Sequence, residues 1–109
     1  MRKTYIGELE EVVLLTVVML QEDAYGVAIT KEIELQLNRR ISVSAVHSTL
    51  HRLEEKGYAD SYMGGATAQR GGRKKRFFKV TKLGGQILTE IQEARKLLWN
   101  QLPPNALLT

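Results

Sequence analysis

The apolar positions of this 109-residue chain fall into four runs of helical spacing and one stretch that alternates. In the first run, Leu9, Val12, Val13, Thr16, Met19 and Leu20 keep a helical period, and Val17 and Val18 widen the apolar face. The pattern predicts a helix over residues 7–21, buried from several sides. Val and Thr lower helix propensity, so a short buried strand is the alternative there. The second run predicts a helix over residues 24–38 capped by Asp23, with Val27, Ile29, Ile33 and Leu37 inward. Gly26 falls in its first turn, where a bare backbone lets another segment come close.

Asn38-Arg39-Arg40-Ile41 makes the next turn, and Ser42 caps a third helix that stops at Gly57, a residue suited to a left-handed helix end. Val46, Leu50 and Leu53 form its inner face, which leaves Ser44, His47, Ser48, His51 and Arg52 outside. Tyr58 to Met63 alternates as a strand does, Gly64 to Gly72 is turn or loop, and Arg76 to Val80 returns. Thr81 then caps a fourth helix carrying Leu83, Ile87, Leu88, Ile91, Ala94, Leu98 and Leu102, which Pro103-Pro104 stops. At about 20 residues, or roughly 30 Å, it is longer than a three-helix core needs. Its outer stretch, Leu97 to Leu102, has nothing left in the chain to pack on, and a second copy would supply the missing surface.

These elements predict a mainly α protein with a small two-stranded β wing. A winged helix-turn-helix domain spans residues 1–81, a dimerisation helix 82–102 and a tail 103–109. Each piece suits a nucleic-acid duplex. Small polar side chains on a helix can enter a major groove, and a basic hairpin can lie along phosphates or probe a minor groove.

Charge sharpens that expectation. The net charge is only +4, but Arg70, Arg73, Lys74, Lys75, Arg76 and Lys79 crowd residues 70–79 with no acid among them. Without those six, the chain carries 10 basic against 12 acidic side chains. The positive charge is thus concentrated in one loop, either as a solvated loop or as a binding surface. The apolar stretch Val12–Leu20 is too short to span a bilayer and follows three glutamates, so it reads as a core helix, neither signal nor membrane span. The absence of cysteine removes disulfides and thiolate zinc sites and fits a reducing cytoplasm.

The candidate chemistry narrows to binding. His47 and His51 share a helix face at the spacing of a metal pair, yet no acid flanks His47 and no cysteine completes a set, so no metal or cofactor is expected. The glycine-rich loop joins two strands and matches neither phosphate-loop pattern, and nothing pairs a nucleophile with a base, so the chain does not read as an enzyme. Trp99, the sole tryptophan, serves either as packing or as an aromatic wall for a flat apolar ligand at a dimer seam.

At this point the chain resembles the PadR family of bacterial transcriptional regulators over residues 6–84. The resemblance is carried by IGELEEVVLLTVVML, AYGVAI, ISVSAVHSTLHRLEEKGY and GGRKKRFFKVTKLGG. The last two are the most specific, because Leu50-His51-Arg52-Leu53-Glu54-Glu55-Lys56-Gly57 and Gly72-Arg73 through Thr81-Lys82-Leu83-Gly84 follow the family's helix end and wing. His47 and Ser48 stand where the family has tyrosine and proline, Val43 replaces another proline, and Tyr25 replaces a histidine. Phe77 and Phe78 replace the wing tyrosines, so hydroxyl contacts do not carry over there.

The resemblance implies a homodimeric repressor whose single C-terminal helix pairs with the partner's first and fourth helices. Leu9, Ile87, Ile91, Leu98, Trp99 and Leu102 are the expected seam. Some family members release DNA on binding a small aromatic effector between protomers, which here would meet Trp99. The expected partner is double-stranded DNA. Ser44, His47, Ser48, His51 and Arg52 would address the groove or its flanking phosphates, and Arg73, Lys74, Lys75 and Arg76 would form the wing contacts. Three alternatives remain open: a protein-interaction module without DNA binding, an RNA-binding role, and a loop docked on an anionic membrane. The loop lacks the apolar anchor that usually accompanies membrane docking.

Overall fold

The computed structural model describes residues 6–64 and 74–108. Along the chain run α1 (Glu8–Leu20), a 3₁₀ turn (Gln21–Asp23), α2 (Gly26–Leu37), α3 (Val43–Glu55), β1 (Ala59–Gly64), β2 (Lys75–Val80) and α4 (Lys82–Trp99). The first segment is a helix, not a strand, and it is the hub of the core. Val13, Leu14 and Val17 are almost fully buried, and α1 touches α2, α3, β2 and α4. Ile29 and Ile33 from α2, Val46, Leu50 and Leu53 from α3, Phe78 from β2 and Ile87 from α4 close around it.

Three threonines are buried: Thr16, which falls in the apolar run of α1, and Thr30 and Thr49, which the pattern leaves out of the inner faces. Thr16, Thr30 and Thr49 each donate the hydroxyl to the carbonyl four residues back, on Val12, Gly26 and Ala45, at 2.7, 2.8 and 2.8 Å. A hydroxyl satisfied inside its own helix can be buried at little cost. That rotates α2 away from the predicted stripe. Gly26, Ile29, Thr30 and Ile33 face inward, whereas Val27 and Leu37 are 44% and 51% exposed.

Asp23 does not cap α2. The helix starts at Gly26 with Tyr25 at the N-cap, and Asp23 ends the 3₁₀ turn. The reason is tertiary. Phe78 N–H donates to Ala24 O at 2.8 Å and Tyr25 forms a bridge to Phe77, so residues 24–25 are committed to pairing with β2 and cannot be helical.

The ends of α3 follow the sequence closely. Ser42 Oγ accepts from Ala45 N–H at 3.0 Å. At the other end Gly57 takes φ +80°, and the N–H groups of Gly57 and Tyr58 return to Glu54 O and Leu53 O at 3.0 and 2.9 Å. This left-handed stop satisfies the last carbonyls and swings the chain into β1.

β1 and β2 pair antiparallel, with Ala59 opposite Val80 and Tyr62 opposite Phe77. Thr81 then joins three segments. Its Oγ1 accepts from Gly84 N–H at 3.0 Å, which caps α4, and donates to Gly57 O at 2.6 Å. A Cβ at Gly84 would run into the Tyr58 carbonyl, so glycine is required for α4 to start this close to β1.

Beyond Ile91, α4 leaves the core, and every residue from Gln92 to Leu108 is exposed. The helix ends at Trp99, three residues short of the expected end at Leu102. Leu102 precedes a proline, which disfavours helical backbone there, and the chain instead closes with Gln101 N–H to Leu98 O and Leu102 N–H to Trp99 O.

Candidate nucleic-acid interface

The turns of α3 sort its side chains into two outward stripes. Ser44, His47, Ser48 and His51 lie on one, all exposed, and Glu55 continues it with an oxygen 3.9 Å from His51 Nε2. Arg52 lies on the other stripe with buried Thr49 and with Lys56, facing α1. Arg52 Nη2 donates to Thr49 Oγ1 at 3.2 Å, and its Nε is 3.9 Å from Glu10 Oε2. Arg52 is therefore set apart from the other four residues expected at the groove.

His47 is anchored by the start of α2. Its imidazole fills the space where a Cβ on Gly26 would stand. This is the close approach that the glycine permits, and it brings His47 against the N-terminal turn of α2, whose unpaired N–H groups favour anions.

The wing root completes the same surface. Lys75 Nζ stands 3.9 Å above the Tyr25 ring, a cation–π contact that aims the ammonium at the head of α2. Phe77 is packed between two tyrosines, edge-on to Tyr25 and stacked on Tyr62, both with centroids at 5.6 Å. Tyr25, Gly26, Val27, His47, Lys75 and Arg76 line one cleft of about 220 Å³. It joins α3, the head of α2 and the wing root.

Arg76 is less free than its position in the basic run implies. Its Nη1 donates to Ser61 Oγ at 3.1 Å and lies 3.8 Å from Glu54 Oε1, and Ser61 Oγ in turn donates to Glu54 Oε2 at 2.7 Å. Lys74 is exposed. Arg73, like Arg70 and loop residues 65–72, lies outside the described residues.

Sequence reasoning missed Tyr25, Glu54 and Ser61 as supports of this surface. An aromatic residue before the glycine of α2 was the available signal for Tyr25. Nothing local marks the other two, which meet Arg76 only because β1 pairs with β2 beside α3.

The residues expected at a dimer seam divide. Ile87 is buried in the protomer's own core, and Leu9 and Ile91 are half-buried against it. Leu98, Trp99 and Leu102 are exposed, at 67%, 63% and 43%. With Arg95 and the folded-back Leu107 they line an apolar depression of about 330 Å³. Among the described residues no group of three acids or histidines is placed to hold a metal ion, and no helix is long and apolar enough to cross a membrane.

A family model, the transcriptional regulator PadR-like family, matches residues 14–90. The chain belongs to that family. The match runs from the middle of α1 through the wing to the middle of α4, so it covers the cleft between α3, α2 and the wing but not the apolar depression beyond α4's middle.

Solved structures agree on the fold. A PadR-like transcription factor from Bacteroides fragilis superposes with a TM-score of 0.72 at 20% identity, with 84% of each chain covered. A PadR-like regulator from Bacillus cereus gives 0.70 at 16% identity, again over 84% of each chain. Bacillus subtilis PadR, solved in complex with operator DNA, gives 0.63 at 18% identity over 77% of this chain and 47% of that one. No curated protein matches the chain. The protein is a winged helix-turn-helix transcriptional regulator of the PadR-like family.

Proposed function

We propose that the protein is a cytoplasmic, homodimeric repressor that binds double-stranded DNA sequence-specifically and releases it when a small aromatic effector binds. One observation carries the DNA reading. His47 of the exposed polar stripe of α3 and the wing-root cations Lys75 and Arg76 meet in a single cleft at the head of α2. Ser44, His47, Ser48 and His51 address base edges, and Lys74 and Lys75 bind flanking phosphates, with Arg73 and Arg76 as further contacts. Arg52 contributes from the side of α3 that faces α1. Bacillus subtilis PadR, of similar fold, was solved in complex with operator DNA, which supports DNA as the partner by analogy.

The dimer reading rests on the exposed apolar end of α4. Leu97, Leu98, Trp99, Leu102, Leu107 and Leu108 are all exposed at and beyond the end of α4, and apolar side chains left uncovered together mark an interaction surface. A second copy buries it, and Trp99 in the depression is the contact offered to an effector.

In-vitro selection from a random duplex pool tests the reading. Enrichment of an inverted repeat is expected, because a two-fold dimer reads two half-sites. A pool with no enriched duplex refutes it.

A further inference from the structure

Among the described residues Glu10 is the only buried charged side chain, at 6% exposure, and the proposed DNA surface makes no use of it. A carboxylate out of water costs free energy that an apolar side chain would not. Its contacts explain its place. Oε1 accepts from Gly7 N–H at 2.8 Å and from Lys56 Nζ at 2.9 Å. Oε2 accepts from the same ammonium at 2.8 Å. Lys56 is the C-cap of α3 and Arg52, 3.9 Å away, lies in the last turn of that helix. One carboxylate thus ties the first turn of α1 to the last turn of α3.

Both partners sit at the helix end that suits their charge, the acid at an N-terminus and the cations at a C-terminus. Burial alone would raise the Glu10 pKa. The Lys56 hydrogen bond, the Gly7 N–H and the charges of Lys56 and Arg52 outweigh it and hold the pKa below the usual glutamate value.

Glu8 and Glu11 make a useful contrast. They pair with Arg39 at 2.8 Å and Arg95 at 3.1 Å, and each pair has a well-exposed member. Such pairs tolerate displacement at small cost. Glu10 does not. If α3 shifted on α1, the buried carboxylate would lose its ammonium and keep only the Gly7 N–H, a penalty that apolar packing does not impose.

We propose that Glu10 is a positioning residue for DNA recognition. It fixes the seat of α3 on α1, and with it the depth and tilt at which Ser44, His47, Ser48 and His51 meet the groove. The proposal rests on the reading of α3 as the DNA-reading helix. Base-edge contacts need alignment to about 0.5 Å, whereas long basic side chains follow a phosphate over a wider range. Loss of the anchor therefore weakens specific binding and spares non-specific binding.

The test is the dissociation constant of full-length wild type and Glu10→Gln for a duplex selected from a random pool and for its scrambled counterpart. It is made at a temperature where circular dichroism shows both proteins folded. Glu10→Gln is expected to bind the selected duplex about ten-fold more weakly, with the scrambled affinity and the salt dependence unchanged. No loss, or an equal loss on both duplexes, overturns the proposal.

Should Glu10→Gln not fold, the partner carries the test. Lys56→Arg is expected to match wild type and Lys56→Met to repeat the specific loss. A Lys56→Met protein whose salt slope falls instead marks Lys56 as a phosphate contact and overturns the proposal. Wild type that fails to prefer the selected duplex refutes the DNA reading itself, and the proposal with it. Wild-type preference matched by Glu10→Gln refutes only the positioning role.

Discussion

The imidazole of His47 occupies the space that a side chain on Gly26 would need. One residue belongs to α3 and the other to the first turn of α2, so the glycine sets where the histidine stands.

Gly26→Ala is therefore expected to separate stability from binding. The added methyl meets the far end of the His47 side chain, which can swing away, and alanine suits a helix better than glycine. The unfolding free energy should change by less than about 1 kcal/mol. Displacing His47 should weaken binding to the selected duplex about ten-fold. Urea denaturation and a fluorescence-anisotropy titration read the two effects, and an unaltered affinity would remove His47 from the contact surface.

The wing lysines should set affinity more than sequence choice. Lys74 is exposed, and Lys75 is held over Tyr25 facing the cleft. Replacing both by alanine should weaken selected and scrambled duplexes alike. If all four lysines of a dimer contact phosphate, the slope of log affinity against log salt should fall by about 3.6. An unchanged slope would show that the lysines make no phosphate contact.

Leu98→Asp should break self-association. Leu98 is 67% exposed in the protomer, so the substitution leaves its core intact and places an unpaired charge only in a seam with a second copy. The dimer dissociation constant should rise about a hundred-fold. Sedimentation of wild type and variant at micromolar concentration measures it, and a monomeric wild type would refute the seam.

Acid should act through Glu10. Its pKa is lower folded than unfolded, so its stabilisation is complete above the ordinary glutamate value and disappears as pH falls through the lowered one. Glu10→Gln keeps an acceptor for Gly7 N–H but loses the ionic bond to Lys56. The variant should be less stable than wild type near neutrality by about 1 kcal/mol, and the two should converge in acid. Urea midpoints taken from about pH 7 to about pH 3 give the comparison, and a gap that widens in acid would contradict the assignment.

Much of the architecture is local and therefore legible in the chain. Ser42, Gly57 and Thr81 mark helix ends because caps and left-handed stops depend on a residue's own side chain and the next few backbone groups. The exposure of Ser44, His47, Ser48 and His51 follows from helical period alone once Val46, Leu50 and Leu53 are inside. The resemblance to the family rests on the same local patterns in α3 and the basic hairpin sequence.

What the tertiary structure decided lies wherever distant segments compete for the same backbone or charge. Asp23 has the right chemistry for a cap, but β2 claims Ala24 and Tyr25 and delays α2 to Gly26. Arg52 and Arg76 look like free cations in sequence, yet Glu10 and Glu54 lie beside them in space. Thr30 enters the core in place of Val27 because its hydroxyl is satisfied within α2, and neighbouring elements then choose which face is covered. Hydrophobic period and capping act over a few residues, whereas pairing across a fold depends on which elements meet, and that is set only when the whole chain packs.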